Sequence, residues 1–191
     1  MLEKFLGNRF SVLYLIPFII GSLATLSFHP FNIAIINFLI FPIFFYLLVY
    51  INKKSKGVYR KKPFKTNFFF FGLSFGFGFY LSGISWITNS LTFDENFKIL
   101  IPFGLILIPL FLSLFFSITT LVIGPFLNLN FQSILLFSGG LAFADFLRAK
   151  ILSGFPWNLW AYSLSWATEF LQILNKIGLF AFNTLIITLF I

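Results

Sequence analysis

Long apolar runs separated by short polar stretches are the dominant pattern along this chain. A run of about 20 apolar residues is long enough to cross the hydrocarbon core of a bilayer as a helix. By that criterion the pattern predicts six membrane-spanning helices, over residues 10–28, 32–51, 68–87, 99–127, 133–147 and 169–191. The predicted fold class is therefore all-α, a polytopic membrane helical bundle.

Prolines and polar residues set the boundaries of these predicted helices. His29 and Pro30 end the first one, because proline disfavours the helical conformation in the residue before it. The fourth contains Pro102, Pro109 and Pro125, which predict a kink or an early end. The stretch between the fifth and the sixth helix is mixed, aromatic and turn-like, and no regular element is predicted there.

Composition agrees with a membrane protein and excludes a soluble globule. Of the 191 residues, 59% are hydrophobic and only 9% are charged, whereas a soluble domain has roughly 25% charged residues. There is no cysteine, one histidine and five acidic residues. This leaves no thiol nucleophile and too few ligands for a metal centre, so we predict no metal and no cofactor.

The net charge of +8 is concentrated in one place. Seven of the 13 basic residues lie between Lys53 and Lys65, in a loop between two apolar runs. Such a loop is typical of the cytoplasmic side of a membrane protein and not of a nucleic-acid surface. The N-terminus, with Lys4 and Arg9, is then cytoplasmic too. The expected partner is membrane lipid, and no nucleic acid is expected.

If the N-terminus is cytoplasmic and each predicted helix crosses the membrane once, Arg148 and Lys150 lie on the outer side. Positive charge is less common there in membrane proteins. Asp145 and Arg148 are three residues apart and so share a helix face. One interpretation is a structural ion pair at the helix end. The other is that Arg148, with Lys150, holds a phosphate headgroup, since guanidinium matches phosphate geometry. The sequence leaves both interpretations open.

Two further motifs allow both a structural and a lipid-binding interpretation. Gly72 and Gly76 form a pair of small residues that permits close helix packing, or else a groove for a lipid tail. Gly154 and Pro156 interrupt the helical pattern in a stretch rich in tryptophan and tyrosine. That stretch is either an aromatic belt at the headgroup level or a re-entrant segment that shapes a lipid entry.

Four ordered pieces of the chain resemble the apolipoprotein N-acyltransferase family. They are GSLATLSFHPF at 21–31, GFGFYLSGISW at 76–86, DFLR at 145–148 followed by GFPW at 154–157 with Tyr162 and Ser163, and finally Gly178 with Asn183. The family usually has glutamate where this chain has Asp145, and the shorter carboxylate keeps the charge but changes its reach toward Arg148.

The resemblance implies a multi-pass enzyme of the bacterial inner membrane. Such an enzyme transfers an acyl chain from phospholipid to the N-terminal cysteine amine of lipoproteins. The family's Glu–Lys–Cys triad lies in a nitrilase-like domain that follows the membrane helices, and that domain is missing from these residues. Residues 1–191 are therefore interpreted as one N-terminal membrane domain, truncated at or within the last helix. No catalytic residue is assigned, and we expect this chain alone to be inactive.

By the same resemblance, seven residues are predicted to bind lipid: Arg148, Lys150, Gly154, Phe155, Pro156, Trp157 and Tyr162. The implied partners are membrane phospholipid and a lipoprotein substrate, with the oligomeric state open. One alternative is a non-enzymatic lipid-binding protein or a degenerate paralogue. Another is a small transporter subunit, which is disfavoured because there is no clear internal repeat and only Lys176 is ionisable in mid-span.

Overall fold

The computed structural model describes residues 8–58, 65–151 and 154–191 of the chain, and within these ranges it contains α-helices and no strand. This confirms the predicted all-α class. The α-helices in the described ranges are α1 (Ile16–Ala24), α2 (Asn37–Val58), α3 (Lys65–Ile84), α4 (Ile101–Ile123), α5 (Phe131–Arg148), α6 (Thr168–Leu171), α7 (Leu174–Ile177) and α8 (Leu179–Phe190).

Short turns of 3₁₀ or π-helix lengthen several of these helices. With those turns included, three stretches of the described chain are long and apolar enough to cross a membrane: Ala34–Lys54, Lys65–Thr92 and Glu95–Phe126. The shorter apolar helices Ser11–Ser27 and Leu179–Phe190 accompany them. The chain is thus a helical membrane bundle. Of the six predicted spans, the second, third and fourth meet this criterion; the first and last are shorter apolar helices, and the fifth, observed as α5, is not among the candidate spans of the described chain.

The last predicted helix needs correction, because the structure breaks it. Two single-turn helices, α6 and α7, come first, and α8 begins only at Leu179 and has 12 residues. Between α7 and α8 lies Gly178 with φ of +80°. Glycine adopts this backbone conformation without the steric penalty that a Cβ atom brings, so the chain can change direction there.

The fourth predicted helix ends early, as its prolines suggested. Pro102 lies in the first turn of α4, where the missing N–H has no helical partner to lose. At the other end, α4 gives way to a 3₁₀ turn over Gly124–Phe126, which contains Pro125.

The glycines of α3 serve helix packing. A Cβ atom on Gly72 would lie 2.7 Å from the carbonyl oxygen of Phe116, and one on Gly76 would lie 2.8 Å from the Cα of Ser113. Because α4 fills this face of α3, the packing interpretation of the glycine pair is confirmed and the lipid-tail interpretation is wrong. Gly78, farther along α3, packs equally closely against α1, because a Cβ atom there would collide with the carbonyl of Phe18. Ser22 of α1 also donates a hydrogen bond of 3.2 Å to the carbonyl of Gly78.

The bundle has two chemically different ends. At one end the Arg9 side chain donates to Oδ1 of Asn67 (2.8 Å), and the amide of Asn52 donates to the carbonyl of Leu127 (2.7 Å). Lys53 and Lys54 follow Asn52 directly, so we call this the basic end. At the opposite, aromatic end, the rings of Trp86 and Trp157 meet at a centroid distance of 5.3 Å.

The tight α3–α4 contact leads to a first prediction. Gly72→Ala should lower the free energy of unfolding by about 1–3 kcal/mol, because the added methyl group must push two packed backbones apart. Gly139→Ala is the matched control, since a Cβ on Gly139 of α5 meets nothing within 4 Å. That variant should leave the stability unchanged or raise it by up to about 1 kcal/mol. Unfolding in detergent measures both, and equal stabilities of the two variants would contradict the packing described.

Candidate functional site

A buried ion pair lies at the end of α5. Nη2 of Arg148 donates to Oδ1 of Asp145 at 2.9 Å, and the two side chains are only 1% and 6% exposed. Their spacing places them one turn apart on one helix face. Neither charge is tolerable alone in an apolar interior, so each requires the other.

Arg148 also holds the chain that follows α5. Its Nη1 donates to the carbonyls of Phe155 (2.8 Å) and Trp157 (2.7 Å). These carbonyls belong to residues 154–163, which we call the aromatic segment: residues 154–159 are irregular, and a 3₁₀ turn, Trp160–Leu164, begins within it. A non-helical backbone within a membrane protein must find its hydrogen-bond partners in the protein itself. The guanidinium supplies two of them.

Asn183 of α8 completes this arrangement. Its Nδ2 donates to Oδ2 of Asp145 at 2.6 Å, and its Oδ1 accepts from the N–H of Ala161 at 2.8 Å. The side chain is fully buried. The Asp145–Arg148–Asn183 network therefore joins α5, α8 and the aromatic segment through polar contacts that are shielded from solvent.

Trp160 anchors the middle of the aromatic segment in the apolar core. Its ring lies 4.7 Å from that of Phe41, 4.8 Å from Phe79 and 5.6 Å from Phe28, measured between centroids. Aromatic pairs at these distances add to the stabilisation that burial provides. The segment is thus fixed by polar bonds and by ring packing together.

Two residues give the aromatic segment its path. Gly154 has φ of +84°, and a Cβ there would collide with the carbonyl of Ala149. Asn158 has φ of +56°, a conformation that asparagine tolerates better than most residues. The chain can therefore turn sharply on both sides of Phe155, Pro156 and Trp157.

The aromatic segment borders two cavities. One, the polar cavity, has a volume of about 680 Å³ and lies at the aromatic end among the end of α1, the end of α3 and the segment. Its lining includes Phe28, His29, Phe31, Ser82, Ser85, Trp86, Trp157, Asn158 and Tyr162. The other, the lateral groove, has a volume of about 410 Å³ and lies beside α4, lined by Leu107, Ile108, Phe111, Leu112, Phe115, Arg148, Ile151, Gly154 and Phe155.

The predicted site residues fall into distinct places around these cavities. Gly154 and Phe155 line the lateral groove, whereas Trp157 and Tyr162 line the polar cavity. Lys150 and Pro156 are exposed, and neither is among the described residues that line the two cavities.

Arg148 forms part of the groove wall but is committed to other contacts. Of its two interpretations, the structure shows the ion pair. A bidentate grip on phosphate would require Arg148 to give up bonds to Asp145 or to the carbonyls of the aromatic segment.

Sequence reasoning missed three participants. Asn183 belongs to one of the motifs of the resemblance, but it is not among the predicted lipid-binding residues. Asn158 is not among them either. Tyr80, whose ring centroid lies 5.4 Å from Cζ of Arg148, carries no sequence signal for this contact. A polar residue within the apolar run of α8 is the one signal that could have drawn attention to Asn183.

These features define a helical membrane domain in which one segment, between α5 and α6, borders two cavities. The family model for the apolipoprotein N-acyltransferase N-terminal domain matches residues 20–190, and the chain belongs to this family. The resemblance noted in the sequence is thereby confirmed.

Individual relatives agree with this assignment. The chain is 32% identical over 178 residues to the apolipoprotein N-acyltransferase of Brucella melitensis biotype 1, an alignment that covers 92% of this chain and 33% of the relative. It is 30% identical over 171 residues to that of Bradyrhizobium diazoefficiens, covering 89% and 31%. With that of Rhodopseudomonas palustris the identity is 29% over 180 residues, covering 92% and 32%. The chain thus spans about a third of the length of these relatives.

The buried network leads to a second prediction. Asp145→Asn keeps the shape of the side chain but leaves the charge of Arg148 buried and unpaired. It should lower the free energy of unfolding by about 3–5 kcal/mol. Glu95→Gln is the matched control, because Glu95 pairs with Lys98 at the exposed surface, where such pairs contribute little. Thermal unfolding in detergent measures both variants, and a loss no larger for Asp145→Asn than for Glu95→Gln would contradict the proposed role of the pair.

Proposed function

We propose that this chain is the membrane domain of an apolipoprotein N-acyltransferase. It holds the phospholipid donor while the acyl chain passes to the N-terminal amine of a lipoprotein. One observation carries the proposal: the segment with the GFPW motif borders both a groove lined by apolar side chains and Arg148, and a cavity in whose lining rings alternate with hydroxyl, amide and imidazole groups. A phospholipid has the same two parts, an acyl chain and a polar headgroup.

The lateral groove suits the acyl chain. Apart from Arg148, the described residues that line it are apolar or glycine. Its α4 wall runs from Leu107 to Phe115, which corresponds to about 12 Å along a helix axis. Leu107, Phe111 and Ile151 are exposed at its rim, so lipid can enter from the side of the bundle.

The aromatic end suits the headgroup. Trp157 and Tyr162 are amphipathic and are typical of the bilayer interface. Lys150, which follows α5 and is exposed, is available to a lipid phosphate. In this proposal Arg148 acts on the lipid indirectly, by holding Phe155 and Trp157 in place.

The proposed orientation places the basic end in the cytoplasm. Arg9, Lys53 and Lys54 lie at that end, and positive charge there favours a cytoplasmic location. The aromatic end then faces outward from a bacterial inner membrane, which the chain crosses several times. Lipid and lipoprotein substrate would meet at that outer end.

Catalysis requires residues beyond those of this chain. The family's covalent step uses a cysteine thiolate, and these 191 residues contain no cysteine. We therefore propose that residues 1–191 bind lipid but do not transfer the acyl group by themselves. The second candidate, a lipid-binding protein without enzymatic activity, would use the same groove and cavity.

A third prediction separates the two candidates. In bacteria depleted of their own N-acyltransferase, the natural gene product that carries this chain should restore N-acylation of lipoproteins, read by mass spectrometry of their N-terminal peptides. Leu107→Trp fills the rim of the lateral groove, so that part of an acyl chain can no longer lie there. Because the loss of a few apolar contacts weakens binding by about tenfold, acylation should fall by about that factor. Leu189→Trp, at an exposed position of α8, is the matched control and should leave acylation unchanged.

The outcomes differ clearly between the candidates. The non-enzymatic candidate would be favoured by two results together. The wild type would restore no acylation, and lipid would copurify with the wild type but not with Leu107→Trp. Acylation that Leu107→Trp does not reduce would remove the groove from the proposal.

A further inference from the structure

A third cavity lies among α1, α3 and α4, apart from the two described above. It has a volume of about 360 Å³, and we call it the α1–α3 crevice. Its α4 wall is formed by Ile106 and Leu110. The lateral groove uses other residues of α4, such as Ile108 and Phe115, which lie on the opposite side of that helix. The crevice and the groove are therefore separate spaces.

The π-helical turn Ser11–Leu15 and α1 form one wall of the crevice. Phe10, Tyr14 and Phe18 line it at intervals of four residues, which places them along one face over about 12 Å. Turns of π-helix are rare and frequently mark functional sites. Apart from Ser74 and the Tyr14 hydroxyl, the described lining is hydrocarbon. The space therefore suits a fatty acyl chain.

An arginine side chain joins two walls of the crevice at the basic end of the bundle. Nη2 of Arg9, the residue before Phe10, donates to Oδ1 of Asn67 in the first turn of α3 at 2.8 Å. Asn67 and Ser74 are seven residues apart, so they share one face of α3 and are separated by about 10 Å along its axis. A molecule that follows this face from Ser74 toward the basic end reaches Arg9. We call this place the basic mouth of the crevice.

The basic mouth carries positive charge at the surface. Arg9 and Lys65, the first residue of α3, are both exposed. A guanidinium has five N–H donors, and toward the described residues Arg9 uses one of them, in its bond to Asn67. The described residues at this end include no acid over 8–10, 52–54, 65–67 and 124–131. Phosphate complements such a place, because it accepts from a guanidinium in a matching geometry.

We propose that the α1–α3 crevice binds an anionic phospholipid of the leaflet at the basic end. One acyl chain lies along Tyr14 and Phe18, and the phosphate accepts hydrogen bonds from Arg9 beside Lys65. Charge complementarity at the mouth and the continuous path into the crevice identify this occupant. A helix of another protein is about 10–12 Å wide with its side chains, so it would lie over a space of this size and not in it.

This lipid is distinct from the acyl donor of the proposed function. Among the described residues, the crevice shares no lining residue with the lateral groove or the polar cavity. Its mouth lies at the opposite end of the bundle from the aromatic segment. The lipid therefore keeps its acyl chains and braces α1 against α3. The inference does not rest on the proposed function, and only the cytoplasmic location of this leaflet follows from the proposed orientation.

The first test measures lipid binding to the natural gene product by native mass spectrometry. The probes are phosphatidylglycerol and phosphatidylethanolamine with the same acyl chains. The wild type should bind phosphatidylglycerol about fivefold more tightly, and Arg9→Gln should remove that preference, since one basic residue near an anionic lipid contributes about this factor. Lys98→Gln is the matched control. It removes an exposed positive charge beside Glu95, at the other end of the bundle, and should leave the preference intact.

A second measurement locates the bound lipid. Phosphatidylglycerol with a photoactivatable group midway along one acyl chain should label residues 10–18 and 70–77 of the wild type. Leu110→Trp fills the crevice and should lower this labelling by about tenfold, because the larger side chain takes the place of several methylene groups. Ile118→Trp is the matched control, since Ile118 is exposed on the same helix and is not among the described residues that line the crevice.

Two results would overturn the inference. One is a wild type that binds both lipids equally. The other is a preference that survives in folded Arg9→Gln together with labelling that survives in folded Leu110→Trp, which would mean that lipid surrounds the bundle without a site. Neither readout depends on acyl transfer, so these results leave the proposed function to its own test. A failure of acylation would likewise leave the crevice and its lipid untouched.

Discussion

Backbone polar groups outside regular helices need partners within a membrane protein, because lipid offers none. Residues 154–159 are irregular and lead into the 3₁₀ turn Trp160–Leu164, and side chains from elsewhere in the bundle supply partners to this stretch. Arg148 donates hydrogen bonds to the carbonyls of Phe155 and Trp157. Asn183 accepts a hydrogen bond from the N–H of Ala161. Asp145 then neutralises Arg148 and accepts a bond from Asn183. These contacts satisfy three backbone polar groups of the segment, the carbonyls of Phe155 and Trp157 and the N–H of Ala161.

The two cavities depend on that same segment. Gly154 and Phe155 form part of the lateral groove, and Trp157 and Asn158 form part of the polar cavity. Because the Trp160 ring is packed against Phe41 of α2 and Phe79 of α3, a shift of the segment would cost these ring contacts. One set of buried bonds thus fixes the segment that both cavities share. In the proposed orientation, it also accounts for the positive charge of Arg148 on the outer side, because that charge is paired inside the protein.

Much of the fold follows from local sequence, and much of the site does not. Apolar runs predict the helices, and the glycine pair Gly72 and Gly76 predicts close packing, because both signals arise within one helix. The helix break at Gly178 is not predicted by hydropathy, since one glycine hardly changes the mean hydropathy of an apolar run. The Asp145–Arg148 pair is predictable from its spacing, but the carbonyl partners of Arg148 depend on how the later chain folds back. The polar cavity combines three pieces that are distant in sequence, so no periodicity reveals it.

The central claim is that Arg148 holds the aromatic segment in place, and amide hydrogen exchange of Arg148→Met in lipid nanodiscs tests it most directly. Methionine keeps much of the side-chain volume but offers no donor to the carbonyls of Phe155 and Trp157. The account predicts exchange across residues 154–163 that is faster by about tenfold or more, corresponding to the loss of at least one hydrogen bond to a charged group. Exchange in α3 should stay slow and serve as the internal reference. Unchanged protection of the segment would contradict the account.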